Sequence, residues 1–300
     1  MEKLKLSSTL SVSRIALGFW RLMDWKISLK ALELFVEDAL QMGVTTFDHA
    51  DIYGNYQCEP EFGKLLKHKP GLRDQFQLVT KCGIKLKSDL FPDLGINHYD
   101  TSAHHILKSV DRSLKNFNTD HIDLLLIHRP DPLMNPAEIA DAFWQLKKSG
   151  KVLNFGVSNF TPLQYEGLNK YFDGNLVTNQ VEISPYCLEH FENGNIDFFM
   201  NEGIHPMAWS PIAQGLLIKP TDEKSGRIVK KLEETAASLD VDGIDKIIYA
   251  WLLYHPVKII PIVGSGKIER LKSAVDALQI NLSREQWYEI FIASKGYSLP

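Results

Sequence analysis

Short apolar runs alternate with stretches of helical spacing along the whole chain. Each run is rich in β-forming residues and stops abruptly at polar or ionisable side chains, which is typical of buried strands in a parallel sheet. Eight such runs are visible. They are Ile15–Leu17, Val44–Phe47, Gln77–Thr80, Ile122–Ile127, Asn154–Val157, Val177–Val181, His205–Trp209 and Val257–Ile262.

The stretches between these runs predict amphipathic helices. Apolar residues recur at helical spacing in Leu29–Met42 and in His104–Phe117. Pro136–Lys148 follows a capping residue, Asn135, and ends at Gly150. Eight strand–helix units with right-handed crossovers close into a barrel, so the pattern predicts an α/β fold of the (β/α)8 TIM barrel type.

Two segments lie outside the repeating pattern. Leu4–Leu6 and Ser11–Arg14 predict a short N-terminal β-hairpin that caps the barrel floor. Ser210–Gly226 is long and irregular, and we expect a loop there, because long loops at this face of a barrel often carry function. No linker divides the chain, so a single domain over residues 1–300 is expected.

Composition narrows the function classes. The chain has 300 residues, of which 44% are hydrophobic, and a formal net charge of −4. It has no basic run that would favour nucleic acid, no apolar h-region of a signal peptide, and no stretch near the ~20 apolar residues of a membrane span. Its cysteines, Cys58, Cys82 and Cys187, have neither metal-ligand nor disulfide-framework spacing. We therefore expect a cytoplasmic protein.

Four ionisable side chains follow three of the predicted strands: Asp48 and Tyr53, Lys81, and His128. Active sites of barrels collect at the C-terminal ends of the strands. A tyrosine hydroxyl can transfer a proton, lysine and histidine can tune it, and an aspartate can hold the lysine. Taken singly, Asp48 and Lys81 could form a structural ion pair, Tyr53 could pack, and His128 could simply end a strand.

A resemblance to a known family covers essentially the whole chain. DHADIYG, TKCG, SLKNFNTDHIDLLLIHRPD, GKVLNFGVSNF, TNQVEISP, AWSP and IPIVGSGKIERL resemble aldo-keto reductase segments in family order and spacing. WRLMDW, HADIYGNYQCE and IVGSGKIER resemble the bacterial YdhF-like group in particular. The resemblance implies one aldo-keto reductase barrel domain that reduces an aldehyde or ketone to an alcohol with NADP(H).

The family tetrad maps onto Asp48, Tyr53, Lys81 and His128. Hydride would pass from the nicotinamide to the carbonyl carbon, and Tyr53 would protonate the oxygen as general acid. A free tyrosine has a pKa of ~10, and a nearby ammonium at Lys81 is expected to lower the pKa of Tyr53. Asp48 would keep Lys81 charged, and His128 would hydrogen-bond the substrate oxygen.

The resemblance also implies a binding site for an extended cofactor. Trp209 would stack on the nicotinamide, although a core aromatic is the alternative, and Lys267 and Arg270 would favour NADP over NAD. Ser273 and Ala274 stand where many relatives have Glu and Asn. GxGxxG is absent, which argues against a Rossmann fold. The cofactor-binding residues are Ser158, Asn159, Gln180, Trp209, Ser210, Gln214, Gly215, Leu216, Gly264, Ser265, Gly266, Lys267 and Arg270.

The expected partner is a small carbonyl substrate, and a monomer or weak dimer is the expected assembly. Trp20, Trp25 and Tyr56 are the candidate substrate residues, with loop packing as their alternative. Two other functions remain open. One is an NADPH-binding sensor or accessory subunit with little turnover. The other is a metal-dependent barrel hydrolase using His49, Asp51 and His128, although no HxH strand end supports it.

Overall fold

The computed structural model describes residues 1–300. Its helices alternate with strands through most of the chain. The strands are β1 (Lys3–Lys5), β2 (Ser11–Ser13), β3 (Ala16–Gly18), β4 (Thr46–Asp48), β5 (Gln77–Cys82), β6 (Ile84–Lys85), β7 (His98–Tyr99), β8 (Ile122–Ile127), β9 (Val152–Ser158), β10 (Leu176–Glu182), β11 (Met207–Trp209) and β12 (Ile260–Val263).

Most of the longer helices pack outside the strands with one apolar face buried. The helices are α1 (Leu22–Trp25), α2 (Leu29–Gln41), α3 (Tyr53–Tyr56), α4 (Cys58–His68), α5 (Ala103–Phe117), α6 (Pro136–Lys148), α7 (Pro162–Tyr171), α8 (Glu189–Glu192), α9 (Asn195–Glu202), α10 (Glu223–Ser238), α11 (Ile244–Tyr254), α12 (Ile268–Asp276) and α13 (Arg284–Lys295). Short 3-10 turns occur at Pro70–Gln75, Ala213–Gly215 and Ala277–Gln279.

Eight strands form a closed barrel in the order β10-β11-β12-β3-β4-β5-β8-β9. Every pairing given between them is parallel. Each of the eight predicted runs overlaps one of these strands. The predicted (β/α)8 TIM barrel is confirmed.

The chain forms two compact units. The first comprises residues 1–179 with 264–266, and the second comprises 180–263 with 267–300. The single domain over residues 1–300 stays a prediction. None of the helices combines the length and apolar character that crossing a bilayer requires.

The first unit is built on an aromatic core beneath the end of β4. Phe47 stacks on Phe76 at 4.5 Å between ring centroids, and Phe62 packs edge-on against Phe19 at 4.8 Å. Large buried rings contribute the greatest apolar area per residue, so this cluster holds β4 and α4 in place. It supports the strand that carries Asp48.

The N-terminal hairpin lies where the pattern placed it. β1 and β2 pair antiparallel, and the backbone N–H of Ser13 donates to Thr46 Oγ1 at 2.9 Å. Ser7 Oγ donates to Asn154 Oδ1 at 2.8 Å. Thr46 begins β4 and Asn154 lies near the start of β9, so the hairpin covers the N-terminal ends of barrel strands.

The second unit is organised around two tryptophans, Trp251 on α11 and Trp287 on α13. Their rings stack at 4.8 Å and 5° between planes. Each indole N–H donates to the other residue's carbonyl oxygen, at 3.1 and 3.0 Å. Both polar atoms are therefore satisfied inside the core, which lets two large rings be buried together.

The irregular loop after β11 ends earlier than its composition indicated. Residues from Glu223 belong to α10, because Asp222 accepts from the backbone N–H of Ser225 at 2.8 Å and forms a capping box. The predicted loop over Ser210–Gly226 is therefore wrong at its C-terminal end, where a helix start overrides the Lys-Ser-Gly sequence.

Candidate active site

The structure brings Asp48, Tyr53, Lys81 and His128 together within the first unit. Asp48 is the last residue of β4, Lys81 lies one residue before the end of β5, and His128 directly follows β8. Neighbouring parallel strands end at the same edge, so these side chains meet there. Tyr53 is carried on the turn after β4.

Lys81 is the centre of this cluster. Its Nζ lies 2.8 Å from both carboxylate oxygens of Asp48, 2.7 Å from the carbonyl oxygen of His49 and 3.1 Å from Tyr53 Oη. Lys81 has no exposed surface. A buried ammonium is stable only when it is paired and hydrogen-bonded, and here acceptors surround it.

The charge state of Lys81 follows from these contacts. Burial by itself would lower the pKa of Lys81, but the charge of Asp48, together with Tyr53, raises it above the ordinary value. Lys81 is therefore a permanent cation at the site.

Tyr53 is a neutral phenol. Burial raises its pKa, and the Lys81 ammonium opposes that shift without reversing it. The expected direction for the pKa of Tyr53 is therefore wrong for this structure. An ammonium has only donors, so Tyr53 Oη accepts from Lys81, and its own O–H is left to donate to another acceptor.

His128 is a neutral imidazole. Burial lowers its pKa well below the ordinary value, and the charges of Lys81 and Arg129 add to this effect. Its ring lies 5.8 Å from the Tyr53 ring at 76° between planes, and its Nδ1 is buried without a hydrogen-bond partner. A neutral imidazole offers one donor and one acceptor to whatever lies beside Tyr53.

The residues expected at the nicotinamide end begin beside His128. Ser158 ends β9, and Asn159 follows with φ of 61°. Asn159 Nδ2 donates to Ser158 Oγ at 2.8 Å and to the His128 carbonyl oxygen at 3.4 Å. The left-handed backbone of Asn159 turns its amide back toward the strand ends, and asparagine tolerates this conformation better than most residues.

The second unit carries most of the other expected cofactor residues. Gln180 is buried in β10, and Trp209 ends β11, paired in register with Glu182. Lys267 and Arg270 are both exposed around the first turn of α12. Gly264, Ser265 and Gly266 precede them and belong to the first unit, whereas Ser210, Gln214, Gly215 and Leu216 follow β11.

The three residues expected to contact substrate have different surroundings. Trp20 is 50% exposed, with Arg21 over its ring at 5.0 Å. Tyr56 is buried, and its hydroxyl accepts from the backbone N–H of Leu86 at 2.9 Å. Trp25 is half-buried. Of the three, Trp20 is the most exposed.

A buried polar network lies behind the tetrad and was not anticipated from the sequence. Asp51 Oδ2 lies 2.9 Å from Arg112 Nη2, and burial raises the pKa of Asp51 to about 8. Glu59 accepts from Thr80 at 2.8 Å and from Ser113 at 2.9 Å. The sequence feature that could have predicted this network is the row of polar residues on the buried face of α5, because a helix normally buries apolar side chains there.

His49 belongs to the core. Its ring stacks on Phe19 at 4.5 Å and 3°, and it contacts Phe62 and Phe117 edge-on. The structure contains no group of three or more His, Cys, Asp or Glu residues arranged to hold a metal ion. The alternative of a metal-dependent hydrolase therefore lacks a cluster of metal-ligating residues.

Comparison with known proteins agrees with this geometry. The model of the aldo/keto reductase family matches residues 14–294. The chain belongs to the aldo/keto reductase family.

Its relatives include whole-length bacterial oxidoreductases. Oxidoreductase YdhF of Escherichia coli (strain K12) is 47% identical over 96% of this chain and 95% of its own. Uncharacterized oxidoreductase YcsN of Bacillus subtilis (strain 168) is 48% identical over 100% of both chains. The predicted resemblance to the YdhF-like group is confirmed.

Two further proteins extend the comparison. The 6-dehydroglucose reductase of Agrobacterium fabrum is 40% identical over 99% of both chains. Among solved structures, the thermostable aldo-keto reductase Tm1743, in complex with the inhibitor epalrestat, matches with a TM-score of 0.82 and 26% identity. That match covers 98% of this chain and 100% of the other.

Proposed function

We propose that the protein is an NADP(H)-dependent carbonyl reductase in which Tyr53 is the general acid. The observation that carries the proposal is the position of Lys81 Nζ, 2.8 Å from both oxygens of Asp48 and 3.1 Å from Tyr53 Oη. A structural ion pair needs only the aspartate. The additional bond to a phenol provides a proton donor with a permanent cation behind it.

The side chains have separate tasks in the reaction. When bound, the reduced nicotinamide supplies a hydride to the carbonyl carbon, and the carbonyl π pair moves to oxygen. The Tyr53 O–H passes its proton to that oxygen, which gives the alcohol and leaves a phenolate. Lys81 at 3.1 Å stabilises the phenolate, and the neutral His128 donates a hydrogen bond to the reacting oxygen.

The residues present fit a phosphorylated dinucleotide. Lys267 and Arg270 place two exposed cations around the start of α12, where backbone N–H groups also favour an anion. A guanidinium and an ammonium suit a 2′-phosphate, which supports NADP over NAD. Ser273 and Ala274 do not supply the carboxylate and amide that many relatives have at these positions.

The substrate proposed for a first test is a hydroxylated aldehyde. Two relatives at 40% and 37% identity over nearly the whole chain are 6-dehydroglucose reductases. The exposed Trp20 offers an aromatic face on which a sugar ring can lie. A small carbonyl substrate, a cytoplasmic location, and a monomer or weak dimer complete the proposal.

Calorimetric titration with NADPH and NADH, followed by a carbonyl panel that includes 6-dehydroglucose, tests this function. We expect micromolar binding of NADPH, weaker binding of NADH, and turnover of at least one aldehyde. Tyr53→Phe should retain the NADPH affinity and lose turnover by more than a hundredfold. A Tyr53→Phe enzyme with full turnover would overturn the assignment of the acid.

The same titration and carbonyl panel distinguish a reductase from an NADPH-binding sensor or accessory subunit. Tight NADPH binding without turnover of any aldehyde or ketone in the panel would favour a sensor or accessory subunit. Failure to bind either nucleotide would remove both functions.

A further inference from the structure

The short helix α1 packs against two glycines that belong to different functional segments. A Cβ placed on Gly266 would lie 2.4 Å from Trp25 Cδ2, and a Cβ placed on Gly54 would lie 2.6 Å from Met23 Cγ. Real Cβ atoms do not approach other atoms so closely. Each side chain therefore lies directly against a glycine Cα, one in the loop after β12 and one in the turn that carries Tyr53.

Trp25 is held from behind by other rings. Its ring centroid lies 5.6 Å from Phe19 and 5.4 Å from Phe35, the latter edge-on. Phe19 in turn stacks on His49, whose carbonyl oxygen accepts from Lys81 at 2.7 Å. The indole is thus backed by the same core that holds the catalytic lysine.

Met23 contacts a turn with an unusual backbone. Gly54, Asn55 and Tyr56 have φ of 57°, 56° and 68°, all in the left-handed region. For tyrosine this conformation is strained and persists only where the surroundings enforce it. Contact between Met23 and Gly54 is one such constraint on the residue that follows Tyr53.

We propose that α1 fixes the cofactor loop Gly264–Gly266 and the Tyr53 turn in position relative to each other, and we refer to α1 in this role as a bracket. Trp25 is then a positioning residue for the cofactor. This inference rests on the proposed function and gives Trp25 a different task from substrate contact. A glycine-rich loop loses much conformational freedom when it binds a ligand. An indole packed on its backbone reduces that freedom beforehand, which strengthens binding.

The chain provides matched variants. Trp25→Ala removes the bracket, and Trp25→Phe keeps an aromatic ring in its place. Trp144→Ala removes a tryptophan on α6, far along the chain from both segments. Trp20→Ala removes the exposed ring that lies shortly before α1.

The first measurement is NADPH affinity by calorimetry and NADPH release by stopped flow, in each variant. We expect Trp25→Ala to raise the Kd about tenfold, mainly through faster release, and Trp25→Phe to restore most of the affinity. Trp144→Ala should keep the wild-type Kd. Trp20→Ala should keep that Kd and raise KM for the carbonyl.

A double-mutant cycle with Gly266→Ala supplies a second readout. In the wild-type background the new methyl group meets the indole, so NADPH affinity falls. In the Trp25→Ala background the space is open, and Gly266→Ala should have little further effect on Kd. Equal losses in both backgrounds would show that the two residues act independently and would overturn the proposal.

Failure of this inference is distinguishable from failure of the proposed function. A folded Trp25→Ala variant with unchanged NADPH Kd and release rate would overturn the bracket while leaving the reductase intact. A wild-type protein that binds no NADPH would instead remove the proposed function on which the bracket depends.

Discussion

Lys81 and Asp48 form a buried, bidentate ion pair, with Nζ 2.8 Å from each carboxylate oxygen. Neither side chain is appreciably exposed. Because water cannot reach this buried pair to solvate either charge, loss of one partner leaves the other charge uncompensated.

Asp48→Asn is expected to destabilise the protein by roughly 3 kcal/mol, because the buried Lys81 ammonium loses its counter-charge. The matched control is Glu61→Gln, which removes the carboxylate of the exposed Lys64–Glu61 pair and should change stability by less than ~0.5 kcal/mol. Urea unfolding at pH 7 measures both. Equal effects of the two substitutions would contradict a burial-dependent role for Asp48.

Replacing each of two helical glycines by alanine should change the stability of the protein in opposite directions. A Cβ on Gly63 of α4 would lie 1.8 Å from the carbonyl oxygen of Asn116 on α5, whereas a Cβ on Gly167 of α7 meets nothing within 4 Å. We expect Gly63→Ala to destabilise by about 3 kcal/mol or more. Gly167→Ala should stabilise by ~0.5–1 kcal/mol. Thermal unfolding of the two variants beside the wild type checks both signs.

Acid should destabilise the protein partly through His105. Burial lowers the pKa of His105 to about 4, against an ordinary value of 6.5. The unfolded chain therefore takes up a proton below pH 6.5 while the native side chain stays neutral, and stability falls as pH drops from 6.5 toward 4. The slope from this one group cannot exceed about 1.4 kcal/mol per pH unit.

His105→Gln removes this contribution and should flatten the decline in stability between pH 6.5 and 4. Unfolding by urea at half-unit intervals of pH measures the difference between variant and wild type. An identical pH dependence in the two proteins would mean that His105 has the same pKa in the native and unfolded states.

Thiol reactivity should separate the three cysteines. Cys58 and Cys82 are buried, and burial raises the pKa of Cys58 to about 11 and that of Cys82 well above its ordinary value. Burial also raises the pKa of Cys187, but its thiol is only partly buried and is therefore accessible to a reagent. Because the thiolate is the reactive form, an aromatic disulfide reagent at pH 8 should modify Cys187 alone in the native protein.

The control for this assay is Cys187→Ser, which should show no native reaction. The wild type in guanidinium chloride should release all three equivalents. Rapid native modification of Cys58 would instead reveal frequent opening of the turn behind Tyr53.

The alternation of apolar runs and amphipathic stretches determined the barrel by itself. A strand buried on both faces needs a continuous apolar run, and the covering helix needs one apolar face, so both periods are visible in the sequence. Residues at strand ends, such as Asp48, Lys81 and His128, could be placed for the same reason. The helix Pro136–Lys148 was predicted to the residue because Asn135 and Pro136 mark its start.

Only the tertiary structure decided which polar groups and rings meet. The Asp51–Arg112 pair joins residues 61 positions apart, and the contact of Trp25 with Gly266 joins the two ends of the barrel sequence. The direction of the Tyr53 pKa shift also depends on how much protein surrounds the phenol, because burial and the Lys81 charge act in opposite senses. Local periodicity does not predict such contacts, because they arise from packing between elements that are distant in sequence.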